Sequence, residues 1–183
     1  MTTVFDFCDG RGAVKAHRHQ NPDGTQGGWV ANTAMVAKTA YVASTAMVFD
    51  RARIFDESRI LGHARVDGKA YVVQFAEVSD HAQVSMDAQV CEEAIVSGSA
   101  LVSEMASIHE HAHIDGSAHI FGKAVVSRKT IVRGNAHIGG SATLYLNENE
   151  PIEGDVELLT GTLYPSPLSN IDIIRQLDAD IGF

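Results

Sequence analysis

Six-residue spacing governs what this chain can fold into. Counting by six from Val30 to Leu144 meets an aliphatic residue at all twenty positions: thirteen Val, six Ile and Leu144. Counting by six from Ala34 to Ala142 meets Ala at seventeen of nineteen positions, with Ser58 and Thr130 the exceptions. Two tracks of that length held in register do not arise by chance. An α-helix repeats its apolar residues every three or four positions. A flat strand alternates every second residue. Neither produces a period of six. A short strand, a tight turn and another short strand does, each hexad forming one face of a coil. The branched residue points inward and fills the core. The Ala four residues later also points inward, where only a small side chain fits. Three hexads close a triangular coil of eighteen residues, and each coil pairs in parallel with the next, ~4.8 Å away. About seven such coils make a prism roughly 30–35 Å long.

Turn chemistry agrees. Two residues after the aliphatic position stand Gly62, Gly68, Gly98, Gly116, Gly122, Gly134 and Gly140, with Asn32, Asp50, Asp56 and Asp80 among the others. These residue types accept positive φ or bond their own backbone in turns.

The pattern [LIV]-x-x-x-[STAV]-x resembles the hexapeptide-repeat family, whose fold is the left-handed parallel β-helix. Handedness follows from that resemblance alone, since the general rule for parallel crossovers favours the right hand. The opening GGWVANTAMV, after a leader bearing His and Gly, also resembles uncharacterised proteins of phages and prophages. That likeness spans nearly the whole chain and carries no known chemistry. The expected fold is therefore all-β, a left-handed parallel β-helix of hexapeptide repeats with a short C-terminal helix.

Three segments are expected. Residues 1–28 form a leader that caps the first coil, because repeat arrays need atypical ends and open edges invite aggregation. Residues 29–164 form the β-helix, with a small loop near 146–151. There Asn147 to Pro151 interrupts the pattern, and Ile152, Val156, Leu158 and Thr162 resume it two residues out of phase. Residues 165–183 form a tail. Pro165 and Pro167 end the repeat, and Ser169 caps a short helix with Ile173, Ile174 and Leu177 along one side.

A formal net charge of -9 argues against general nucleic-acid binding. No apolar run is long enough to span a membrane. The N-terminus lacks the basic-then-apolar order of a signal peptide. Cys8 and Cys91 suggest no disulfide framework, so a reduced, cytoplasmic setting is expected.

Nine histidines are the obvious chemical candidates. His119 and His137 are eighteen apart, so they stack on adjacent coils and point outward. His63 and His81 do the same at a turn position. His109, His111 and His113 also avoid the inward tracks. Two such imidazoles could bind a metal, or one could serve as a base across a subunit interface. The alternative is that they are surface histidines at tolerant positions. His17, His19 and Cys8 form a loose constellation that matches no strong zinc pattern, and no metal is expected. The resemblance implies two enzyme precedents. Hexapeptide acyltransferases place a histidine at a trimer interface and lay acyl-CoA in the groove between two β-helices. They commonly extrude a loop from a coil, and here nineteen consecutive steps show none. The γ-class carbonic anhydrases hold zinc with interface histidines, two of them five residues apart, a spacing absent here.

The expected ligand or partner groove comprises His109, His111, His113, His119, His137, Phe121 and Arg133. His113, His119 and His137 are the catalytic candidates if any catalysis occurs. Large apolar residues at outward positions point to a homo-oligomer, and the family resemblance implies a trimer. The expected interface holds Trp29, Met47, Tyr71, Ile95, Leu101, Val125 and Ile131. Three functions are open. The first is a non-catalytic binding protein acting on a host protein, as a phage-type antagonist does, or on a small ligand. The second is a CoA-dependent acyltransferase, with acetyl-CoA as cosubstrate. The third is a scaffold or spike component.

Overall fold

The computed structural model describes residues 3–165. After a leader of three strands, β1 (Val4–Phe5), β2 (Val14–Gln20) and β3 (Gln26–Ala31), the chain makes twenty-one strands of two residues each, β4 to β24. Each of these two-residue strands ends on an inward-facing residue. From Met35–Val36 (β4) to Thr143–Leu144 (β22) they recur every six residues, and parallel partners are eighteen residues apart, as in Met47↔Arg65 and His119↔His137. The coils stack as three sheets. Sheet I contains β3, sheet II begins at β4, and sheet III begins at β5 (Tyr41–Val42). Sheets I and II each stack eight parallel strands, so the prism has about eight turns once the C-terminal coil is included. The fold is an all-β parallel β-helix.

The two inward tracks are the core. From Val42 to Leu144 every aliphatic position is fully buried, and from Ala40 to Ala142 every small one is. Ser58 and Thr130 fit the Ala track because their hydroxyls find local carbonyls. Ser58 Oγ donates to Phe55 O at 2.7 Å, and Thr130 Oγ1 to Ser127 O at 2.6 Å. The interior is therefore filled by the chain's own side chains and leaves no room for a ligand.

Positive φ occurs at all sixteen turn positions from Asp50 to Gly140, and only seven of them are Gly. Other residues pay about 1–2 kcal/mol each in that region. At six of the nine, an acceptor side chain offsets this cost. Asp80 Oδ2 accepts from Gly98 N–H at 3.1 Å, Glu92 Oε2 from Glu110 N–H at 2.6 Å, and Glu104 Oε2 from Gly122 N–H at 3.0 Å. Each of these carboxylates caps the equivalent turn one coil above. Part of the acidity of the chain is thus structural.

The leader does more than cover an edge. β2 pairs antiparallel with β3, and β1 with β2. The hairpin also folds its aromatic residues onto the outer face of sheet I. Phe7 stacks on Phe49 with ring centroids 4.9 Å apart, and Phe5 stacks on Trp29 at 4.5 Å. Arg65 ties the leader down by donating from Nη2 to Phe7 O at 2.8 Å. Phe49 follows the inward Val48 and so faces outward, yet it is 3% exposed because Phe7 lies over it.

At the C-terminal end the slip is two residues in sheets III and I, where Val132 meets Ile152 and Ile138 meets Leu158. It is one residue in sheet II, where Leu144 meets Leu163. Leu163 therefore takes the inward place there, and Thr162 points outward. The expected helix with Ser169, Ile173, Ile174 and Leu177 lies outside the described residues.

Candidate functional site

An eighteen-residue coil assigns every outward residue to one face, and this divides the expected groove. His119, His137 and Phe121 share the outer face of sheet I. His113 and Arg133 belong to sheet III, and His109 to sheet II. His111 sits at the corner between sheets II and III. Only the first three come together. The His119 and His137 rings meet edge to face at 5.9 Å, and Phe121 leans on His119 at 4.7 Å. The Phe121 ring lies over Gly139, where a Cβ would come within 2.2 Å of it.

Ser103 completes this patch. Its Oγ lies 3.1 Å from His119 Nε2. Burial, followed by the positive field His137 would add, lowers the His119 pKa below its ordinary value, against a smaller opposing pull from Glu104. Near neutral pH His119 is therefore largely the uncharged imidazole, hydrogen-bonded through Nε2 to the Ser103 hydroxyl in a direction set by the ring's tautomer. The geometry recurs on sheet III, where Ser97 Oγ lies 3.0 Å from His113 Nε2. In both cases a serine just after the inward residue of one coil meets a histidine just before the inward residue of the next. The residues are sixteen apart, a spacing that would have found both serines in the sequence. One scaffold relation on two faces explains both pairs. Ser103 is only 6% exposed, so its hydroxyl is not presented to a substrate as a nucleophile would be.

Five of the remaining histidines are also engaged. His111 Nδ1 lies 3.1 Å from Glu93 Oε2. His63 and His81 stack 5.1 Å apart with rings nearly parallel. In the leader, His17 Nδ1 lies 3.0 Å from Asn32 Oδ1, and buried His19 places Nε2 3.0 Å from Ala40 O. His17 and Cys8 are exposed while His19 is buried. No three His, Cys, Asp or Glu residues among those described are grouped to hold a metal ion.

An acyl-CoA would need cations for its phosphates beside His119 or His137. Glu104 follows Ser103 in the chain, and Glu157 pairs in register with His137. Arg133 is on another face and bonds Glu153 at 2.6 Å. Glu104 and Glu157 make this patch locally acidic, while Lys123, two residues beyond Phe121, is a cation adjoining it in sequence.

The expected interface residues divide in the same way. Trp29, Met47 and Leu101 lie on sheet I, Tyr71 and Val125 on sheet II, Ile95 and Ile131 on sheet III. Trp29 and Met47 pack against the aromatic cluster of the leader. Between the leader and the C-terminal coil, the most exposed large apolar groups lie elsewhere: Phe75 is 63% exposed, and Met86 and Met105 are each 56% exposed. All three are at corners between strands, three or four residues beyond the strand positions of the kind expected to carry the interface.

No helix among the described residues is long and apolar enough to cross a membrane. No protein-family model, curated protein or solved structure matches the chain.

Proposed function

We propose that this protein is a non-catalytic recognition protein that acts as a homo-oligomer, a trimer by preference. One observation carries the reading: both inward tracks are filled by the chain's own side chains, so any partner must meet an outer face, a corner or an end. Corner residues Phe75, Met86 and Met105 supply apolar contact of the kind that association covers. The faces also offer His137 and Phe121 on sheet I and Arg133 on sheet III as polar and aromatic contacts. A left-handed, hexapeptide-repeat coil and a phage origin belong to this reading and rest on the sequence resemblance, and a cytoplasmic setting belongs to it on the cysteine content. The ligand would be a host protein, or a small molecule held between subunits.

The acyltransferase reading keeps one supporting feature, the neutral half-buried imidazole of His119. It is weakened by the acidic surroundings and by the engagement of that ring with Ser103. Native mass spectrometry of protein purified from its host tests both. A trimer, with or without a retained ligand, is expected. A strict monomer with nothing bound overturns the proposal. Tight acetyl-CoA binding by calorimetry, lost in His119→Ala, would establish the enzyme instead.

A further inference from the structure

The first coil of a parallel β-helix leaves downward-facing backbone groups on each of its three sheets. The leader closes two of them. On sheet I, β2 pairs with β3. On sheet III, one amide side chain stands in for a strand. Asn21 Oδ1 accepts from Val42 N–H at 2.9 Å, and its Nδ2 donates to Val42 O at 3.2 Å. His19 takes the third group, Ala40 O. The equivalents on sheet II, six residues earlier, are Val36 N–H, Val36 O and Ala34 O. None of these has a partner among the described residues.

Three further observations fall on the same edge. Val36 is the only one of the twenty aliphatic track residues that is not buried, and Ala34 the only one of the nineteen small ones. The core is open under β4 alone. Second, exposed cations flank it. Arg53 stands directly above Met35, Arg51 one coil above Thr33, Lys38 two residues beyond Val36, and Lys15 O receives Asn32 N–H at 2.9 Å. None of these four side chains meets a carboxylate, a carbonyl or an aromatic ring. Among the described Lys and Arg residues only Lys123 shares that condition. In a chain of net charge -9 this is a localised basic rim. Third, a concavity of about 590 Å³ rises from Met35 up the outer face of sheet II, lined by Arg53, Phe55 and Tyr71, with Lys69 paired to Asp87 at its far end.

We propose that the lower edge of β4 is the docking site for an extended acidic segment of a partner protein. The segment adds to sheet II as one parallel strand. Its backbone takes the groups of Ala34 and Val36. An aliphatic side chain closes the core under Val36, and carboxylates meet Lys15, Lys38, Arg51 and Arg53. Main-chain bonds give this mode its affinity, and the alternate side chains give it specificity. A whole coil of a second copy does not fit, because sheets I and III are already closed and only one strand width is open. The proposal rests on the reading of the chain as a recognition protein.

Amide exchange followed by NMR on the full chain tests it, with two synthetic probes. One is acetyl-Gly-Asp-Ala-Glu-Val-Asp-Gly-amide, and the other carries Lys in place of each acidic residue. The acidic probe is expected to protect Val36 N–H from exchange and the basic one not to. Val36→Pro removes that N–H without removing any bond the fold uses, since edge strands accept proline. It should weaken binding about tenfold or more while the amide of Ile114 keeps its protection. Arg53→Glu should reduce binding of the acidic probe and permit the basic one. Equal binding of both probes, or binding that leaves Val36 unprotected, overturns the proposal. So does a Val36 N–H already protected in the free protein. Protection that rises with protein concentration would assign the edge to a second copy, and protection independent of concentration to the chain's own tail. A monomer that still binds the acidic probe would refute the oligomer reading and leave this one standing.

Discussion

Removing the Asn21 amide should unzip the first coil without unfolding the prism. Asn21 is 4% exposed, and Val42 is fully buried. In Asn21→Ala, Val42 N–H and Val42 O both lose their only partners outside the coil. A buried backbone group left unpaired costs about 1–3 kcal/mol. Two such groups, with some relief from water entering the small void, amount to about 2–4 kcal/mol. Because each coil touches only its neighbours, that cost is local. Exchange of the Val42 amide should accelerate roughly 30- to 700-fold, at 1.4 kcal/mol per tenfold. Amides of the central coils, such as Ile114, should not change. Asn21→Asp sharpens the test. Its remaining oxygen can still accept from Val42 N–H, but a carboxylate oxygen then faces Val42 O. It should be at least as damaging at neutral pH, and less so once acid protonates the carboxyl and restores a donor. Unchanged Val42 exchange in Asn21→Ala would show that the amide is not what closes sheet III.

Other outcomes follow from the same geometry. Ile114→Ala, in the middle of the filled core, should cost about 2–4 kcal/mol in urea unfolding, whereas Val36→Ala, at the open end, should cost well under half of that. Asp80→Gly should be less destabilising than Asp80→Ala by about 1 kcal/mol, since both lose the bond to Gly98 N–H but only Ala retains the positive-φ strain. Burial lowers the pKa of both His19 and His119 in the folded state. The unfolded chain therefore binds more protons as pH falls below the ordinary imidazole value near 6.5, so the melting temperature should drop from pH 7.5 to 5.5 and stay flat above. His19→Gln with His119→Gln should flatten that slope. Gly139→Ala should drive the Phe121 ring off its seat, and a changed ring-current shift on the His119 protons would report it.

The architecture was legible because its cause is local and repeated. Val, Ile and Ala at fixed offsets make the same turn-and-strand unit again and again, and each unit buries itself only against its neighbours. Val30, Val48 and Val66 needed no distant information to be placed in one column. His119 and His137 were legible as a pair for the same reason. The Ser103–His119 bond was in principle readable from its sixteen-residue spacing. The expected groove was harder, since His109, His111, His113 and His119 lie close in sequence but turn onto different faces of a three-sided coil.

By itself, then, the sequence determined the period, the inward tracks, the positive-φ turns and the stacking of coils, because nearest-neighbour packing repeats an identical contact down the chain. Only the tertiary structure decided the ends. A unique leader has no period to read. Its fold depends on Phe7 finding Phe49 and on Asn21 finding Val42, contacts made once and across 42 and 21 residues of sequence. The pairing of β2 with β3 and the Asn21 contact cover sheets I and III, the Phe7 stack buries Phe49, and among the described residues sheet II alone is left without a leader group beneath its first strand.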